Sequence, residues 1–305
     1  MTNKFRFMQI APVLAAFMAA LVSCSGDAEM EKEKLSIVVT IPPQAYFVEK
    51  IAGEKADISI ILSGGKDPHF FEFSTREISQ ILSADIYFSI GLPQEAALVA
   101  RLSASSGTLR IVDTGEDIPR RLPDAPFLAN SGNSDTLPPA DEENTDPHIW
   151  LSPALVKLQA QKIIDTLIVA DPKNASYYIS RHALFITEID NLDREIQRQL
   201  SVVKEKTLLV YHPAFGYFAD QYGFTQIPVE IEGKEPAARS LSILIETARR
   251  KRIRTLFVEP QTPQKKAQII ASSIGAEIMQ IDPLARNWTE TLLDFAKKIG
   301  GRKTE

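Results

Sequence analysis

Three of the chain's four histidines occupy closely similar local settings. They are Asp67-Pro68-His69-Phe70, Asp146-Pro147-His148-Ile149-Trp150 and Tyr211-His212-Pro213-Ala214-Phe215, and far downstream Asp282 follows an apolar run and precedes Pro283-Leu284. Three imidazoles and one carboxylate make a four-donor shell, and a nitrogen-rich tetrahedral shell suits Zn²⁺. Proline fixes its own φ and restrains the residue before it, so the histidine after each Asp-Pro starts from a stiff backbone. The aspartate two residues earlier is placed to accept from neighbouring N–H groups or to orient the imidazole. One Asp-Pro-His unit would say little. Two of them, with His212 and Asp282 at strand ends, say much more.

Other candidates read differently. His182 lies on the apolar stripe of a long helix and is a packed or partly buried helix residue. Glu259 stands at the same sheet edge as the others, where it could support a ligand, serve as an alternative carboxylate ligand or belong to the framework. Trp150 reads as a wall of the site, and Asp141–Glu143 as a solvated loop. Asp282, standing before proline, has a structural Asx turn as its alternative. A catalytic zinc keeps one position open for water and has a base beside it. This chain has no H-E-x-x-H, its fourth ligand would close the shell, and Glu259 is the one available base. Binding without catalysis is therefore the first reading, and a zinc-dependent hydrolase its rival.

The elements that must carry these residues alternate between two periods. Leu35–Thr40 reads as a buried strand, and Pro42-Pro43 opens a helix to about Gly53. Ala56–Leu62 is a second strand, and Ser74 caps the next helix. Asp85–Ile90 and Leu109–Val112 are strands around a helix at Pro93–Ser103. Residues 115–147 hold five prolines before Pro147 and read as an exposed acidic loop. Pro153–Ala170 is a helix, and a longer one runs from Asp171-Pro172 to about Ser201, apolar at Tyr178, Phe185, Ile189, Leu192, Ile196 and Leu200. A second alternating block follows, with strands at Thr207–Tyr211, Gln226–Ile231, Thr255–Val258 and Glu277–Ile281. Its helices are Ala214–Tyr222, Ser240–Lys251, Pro263–Ile274 and Trp288–Ile299. The fold class is α/β: two doubly wound, parallel-sheet lobes, 35–170 and 202–301, joined by one long rigid helix, 171–201. Ligands of such sheets bind beyond the carboxyl ends of the strands. Two donors come from each lobe, so the metal belongs in the cleft between them.

Lys4 and Arg6, then an apolar stretch from Phe7 to Val22, match a secretory signal over residues 1–23. Leu21-Val22-Ser23-Cys24 resembles the lipobox of bacterial lipoproteins, with Cys24 acylated and 24–34 as tether; an ordinary secretory signal is the alternative. Cys24 is the chain's single cysteine, which excludes disulfides and thiolate metal sites. The formal charge of −5 becomes more negative by two without residues 1–23. An acidic chain with no basic stripe argues against nucleic acid and mildly for a cation.

The segments DPHFFEFSTREISQILSADIYFSIG, DPHIWLSP and VYHPAFGYFADQYGF, with EGKEPAARSL, FVEPQ and IDPL, resemble the zinc- and manganese-binding solute-binding proteins of bacterial ABC importers, from about residue 36 to 299. The resemblance implies two α/β lobes linked by a rigid helix with metal between them, and it carries the ligand roles onto His69, His148, His212 and Asp282. Histidine at position 212 resembles the zinc branch, with Mn²⁺ the alternative cargo. The chain is expected to be a non-enzymatic, monomeric, exported protein, periplasmic or at the cell surface, held to the membrane by the lipid at Cys24. Its partners would be an ABC permease and its ATPase subunit; manganese or iron binding in the same fold, or adhesion, are the other readings. The pattern departs from the family in three places. The 124–146 loop lacks histidine, Ser89–Glu95 replaces an Asn-Gly-Leu-Gly-Leu-Glu stretch, and Glu72-Phe73-Ser74 replaces Glu-Pro-Thr or Glu-Pro-Ser. The first removes support for zinc scavenging by the loop, and the others touch framework.

Overall fold

The first apolar run, Leu35–Val39, forms β1, and Pro42–Ala52 forms α1 with proline in its first turn. β2 (Ala56–Ile60) and β3 (Ile86–Ser89) flank β1 in parallel, and β4 (Arg110–Asp113) pairs with β3. The strand order β2-β1-β3-β4 reverses direction of winding between β1 and β3, the switch point at which such sheets open a crevice. Gln44, fully buried, ties this edge together. Its side-chain oxygen accepts from the Thr40 N–H, and its amide donates to the Ser89 carbonyl and the Thr114 hydroxyl. This computed structural model describes residues 34–62, 71–105, 107–124, 145–230 and 236–301. The expectations for the signal segment, Cys24 and the tether, for His69 and for Asp141–Glu143 fall outside the described residues.

α2 (Thr75–Leu82) starts at Ser74, whose hydroxyl accepts from the Glu77 N–H while the Glu77 carboxylate accepts from the Ser74 N–H, a reciprocal cap. α3 (Pro93–Ser105) follows β3. α4 (Pro153–Ala170) has the predicted bounds, and after a short 3₁₀ turn the long α5 runs from Ala175 to Leu200. Its apolar face is the one read from periodicity, and the 26 residues span about 39 Å at 1.5 Å each.

The second sheet repeats the first. β5 (Thr207–Val210), β6 (Thr225–Pro228), β7 (Thr255–Val258) and β8 (Glu277–Gln280) are all parallel, in the order β6-β5-β7-β8. They alternate with α6 (Gly216–Tyr222), α7 (Ala238–Arg250), α8 (Gln264–Ile274) and α9 (Trp288–Gly300). α6 ends on Gly223 at φ 70°, a left-handed cap that glycine adopts without a Cβ clash. Side chains alternate along β5. Leu208 and Val210 enter a core shared with the first lobe, while Leu209 and Tyr211 enter a smaller one beneath α7 and α8. α9 returns alongside α5, setting Trp288 edge-on to Phe47 of α1 and Phe295 against Phe215, Phe218 and Phe257. The lobes are thus joined by one continuous core as well as by α5.

Three expectations change. β6 ends at Pro228, where Val229 shares its N–H between the Val210 and Tyr211 carbonyls and Glu230 turns to donate to the Tyr211 carbonyl; the expected end at Ile231 lies outside the described residues. α6 begins at Gly216, since residues 211–215 make a tight turn in which the Ala214 N–H returns to the His212 carbonyl. The 115–147 segment is not exposed throughout. Ile118 and Asp146 are 4% and 2% exposed, anchoring its two ends, although Leu122 between them is half exposed. Among the described residues no helix is long and apolar enough to cross a membrane.

Candidate metal centre

The second lobe sends one polar group toward a common edge from the end of every strand. His212 follows β5, Glu230 follows β6, Glu259 follows β7 directly and Asp282 follows β8. The first lobe answers with His148, which stands before a 3₁₀ turn at Ile149–Leu151 and the α4 cap Ser152. His148, His212 and Glu259 are nearly buried, at 3%, 8% and 8% exposure. With Trp150, Tyr211, Glu230, Pro283 and Leu284 they line a cavity of about 100 Å³.

The two imidazoles face one another, His148 Nε2 lying 3.4 Å from His212 Nε2. The opposite nitrogen of each ring meets a carboxylate: His148 Nδ1 is 2.8 Å from Asp146 Oδ1, and His212 Nδ1 is 2.9 Å from Glu230 Oε1. A carboxylate at Nδ1 fixes the proton there and turns Nε2 into the donor atom, which is how ligating histidines are held. The spacing is informative. At 3.4 Å the pair is longer than an ordinary N–H···N hydrogen bond. Two nitrogens each about 2.05 Å from a tetrahedral ion lie about 3.3–3.4 Å apart, by the usual Zn–N length and the tetrahedral angle.

Asp146 is held from several sides. Its Oδ1 also accepts the His148 N–H at 2.9 Å, and Arg121 Nη1 donates to Oδ2 at 3.1 Å. Burial pushes the carboxyl upward, but His148 and then Arg121 outweigh it and hold the group below the usual aspartate range. Glu259 accepts from the Gln261 amide. Trp150 is fully buried with its ring 5.1 Å from the His148 ring, and its indole N–H donates to the Pro283 carbonyl at 2.8 Å.

The structure therefore brings His148 and His212 together. Asp282 accepts the Leu284 N–H at 2.9 Å in an Asx turn whose next two residues line the same cavity. A carboxylate has two oxygens, so the turn and metal ligation are compatible roles. Among the described residues no three His, Cys, Asp or Glu side chains are set to hold an ion. His182 is half-buried on α5, packed as read. Glu230 was missed, although the strand-end rule that found His212 and Asp282 would have found it once β6 was ended at Pro228. Arg121 was missed for want of any local signal.

The family model described as zinc-uptake complex component A, periplasmic, matches residues 37–301. The high-affinity zinc uptake system protein ZnuA of Bacillus subtilis (strain 168) is 26% identical over 89% of this chain and 87% of its own length. The zinc-binding lipoprotein AdcA of Streptococcus pneumoniae (strain ATCC BAA-255 / R6) is 25% identical over 96% of this chain, which spans only 57% of that relative. Among solved structures, a crystal structure of ZnuA is 34% identical with a TM-score of 0.77, covering 88% of this chain and 98% of its own. A ZnuA deletion mutant with zinc bound is 35% identical, also at TM-score 0.77, covering 88% and 97%. Because the match runs from within β1 to the end of α9, and so takes in both sheets and every strand end that faces the cavity, this chain belongs to the periplasmic zinc-uptake component A family.

Proposed function

We propose that this protein captures Zn²⁺ outside the cytoplasmic membrane and delivers it to an ABC permease with its ATPase subunit. The observation that carries the reading is the His148–His212 pair, whose Nε2 atoms lie 3.4 Å apart, the separation a tetrahedral ion requires. His69 and Asp282 complete the shell, one from each lobe, and Glu259 stands behind it as a nearby acceptor. Imidazole nitrogen in a four-coordinate site favours Zn²⁺ over Mn²⁺, which ranks lower in affinity and prefers more oxygen donors. The ion is cargo, and with four protein ligands no position remains for a reactive water, so the protein binds and does not catalyse.

Lobes 35–170 and 202–301, joined through 171–201, act as a monomer. Cys24 carries the lipid that holds the chain at the membrane, a reading supported by the Leu-Val-Ser-Cys sequence and the charged tether after it. The test is metal content by mass spectrometry of protein purified without added metal, then zinc calorimetry on wild type and His212→Ala. One zinc per chain and loss of tight binding in the variant is the expected result. Unchanged affinity would remove His212 from the site, and manganese in place of zinc would overturn the assignment of cargo.

A further inference from the structure

Arg121 sits between the lobes, and no local pattern in the sequence points to it. Its side chain is 19% exposed and meets three carboxylates. Nε donates to Asp220 at 2.9 Å, Nη1 to Asp146 at 3.1 Å, and Nη2 to Asp124 at 2.9 Å. The backbone repeats the bond, because the Asp146 N–H donates to the Arg121 carbonyl at 2.9 Å. Tyr217 of α6 closes the arrangement: its hydroxyl accepts the Arg121 N–H at 3.0 Å and donates to the Asp146 carbonyl at 2.9 Å. Gly216 makes room for it. A Cβ there would collide with the Arg121 guanidinium and come within 2.7 Å of the Asp146 carboxylate.

Asp146 is the residue that orients His148, and α6 begins four residues after His212. Arg121 and Tyr217 therefore fasten the support of one imidazole to the helix that follows the other. We infer that Arg121, with Tyr217, is a positioning residue that sets the spacing of the two histidines across the cleft; this inference rests on the zinc-binding reading above. Charge alone makes the opposite prediction. A guanidinium near a dication repels it, so a purely electrostatic Arg121 would weaken binding and its removal would tighten it. A positioning Arg121 does the reverse, because losing a group that orients a ligand costs about 10–100-fold in metal affinity. Lysine offers a point charge without the planar fork, so it restores only part of the function.

The experiment measures zinc affinity and the visible spectrum of the Co²⁺-loaded full-length protein for wild type, Arg121→Met, Arg121→Lys and Tyr217→Phe. Ile270→Ala, a truncation in the outer core beneath α7 and α8, serves as a variant that lowers stability alone. Expected are at least tenfold weaker zinc binding and displaced cobalt bands in Arg121→Met, partial recovery in Arg121→Lys, and wild-type affinity in Ile270→Ala despite a lower Tm. Should Arg121→Met not fold, the lysine and Tyr217→Phe variants carry the test, each expected at about threefold or more weaker with shifted bands. Affinity within twofold of wild type, or tighter, with unchanged bands overturns the inference while leaving zinc binding intact. A wild-type chain that takes up neither metal overturns this inference and the reading beneath it together.

Discussion

The two histidines that face each other across the cleft are held by different means. His148 takes its carboxylate from two residues upstream, in the same Asp-Pro-His turn, and that Asp146 is 2% exposed and pinned by Arg121. His212 takes its carboxylate from Glu230, 18 residues on and at the end of a different strand, with a side chain 17% exposed. The first arm is rigid by local construction, and the second keeps its geometry only while β5 and β6 stay in register. A site built this way has one proposed ligand fixed before metal arrives and another whose hold can be loosened from the loops of a single lobe. That asymmetry offers a route to release without separating lobes that share one core.

Removing either imidazole should have the largest effect. His148→Ala and His212→Ala each delete a proposed ligand and should weaken zinc binding by more than the roughly 100-fold upper range for loss of a supporting group, as read by calorimetry. The comparison sharpens one step out. Asp146→Asn should cost affinity at the upper end of about 10–100-fold, and Glu230→Gln near the lower end, because the less buried glutamate is more readily replaced by water. Asp146→Asn should also lower apo stability by about 3 kcal/mol in denaturant unfolding, since it unbalances a nearly buried ion pair with Arg121. Glu230→Gln should change stability little. Equal losses in both variants would refute the asymmetry.

Acid separates the same two layers. Zinc binding requires neutral imidazoles, so affinity should fall as acid protonates them. The folded Asp146 carboxyl lies below its ordinary value, so its contribution to stability is complete above the unfolded pKa of about 3.9. That contribution is lost as pH falls further, through the folded pKa. As pH falls, then, the protein should release metal before it unfolds. Circular dichroism and metal content followed down one titration would show it, and simultaneous loss of both signals would contradict it.

What could be read in advance follows the distance over which each feature is determined. Helix α4, the Ser74–Glu77 cap and the four-plus-four strand count depend on neighbours a few residues apart, and local periodicity reveals them. The Asp146–His148 pair is legible for the same reason, with the orienting group written beside the imidazole it holds. Glu230 depends on where β6 ends, which is decided by its own N–H turning onto the Tyr211 carbonyl rather than by strand propensity. Arg121 depends on α6 docking across the cleft, with partners 25 and 99 residues away, so no window of sequence contains it. The exposure expected of 115–147 fails at its described ends, because composition reports prolines and acids but not the core packing of Ile118 or the Tyr217 bond to the Asp146 carbonyl.

The smallest expected effect concerns the chain's two tryptophans, which form a chain of their own across the cleft. The Trp288 indole donates to the Trp150 carbonyl at 2.6 Å, and the Trp150 indole donates to the Pro283 carbonyl beside Asp282. Only Trp150 touches the His148 ring and lines the cavity, whereas Trp288 packs on Phe47 in the shared core. Zinc titration should therefore change emission from Trp150 and leave Trp288 silent. Trp150→Phe keeps most of the apolar wall and loses one hydrogen bond, so it should cost about 1 kcal/mol of stability and change zinc affinity by no more than about tenfold. Its zinc-dependent fluorescence should vanish, while Trp288→Phe retains the response. A surviving signal in Trp150→Phe would mean that metal binding is felt in the core around α9, and the rigid arm would then have to be extended from the Asp-Pro-His turn to the whole interface between the lobes.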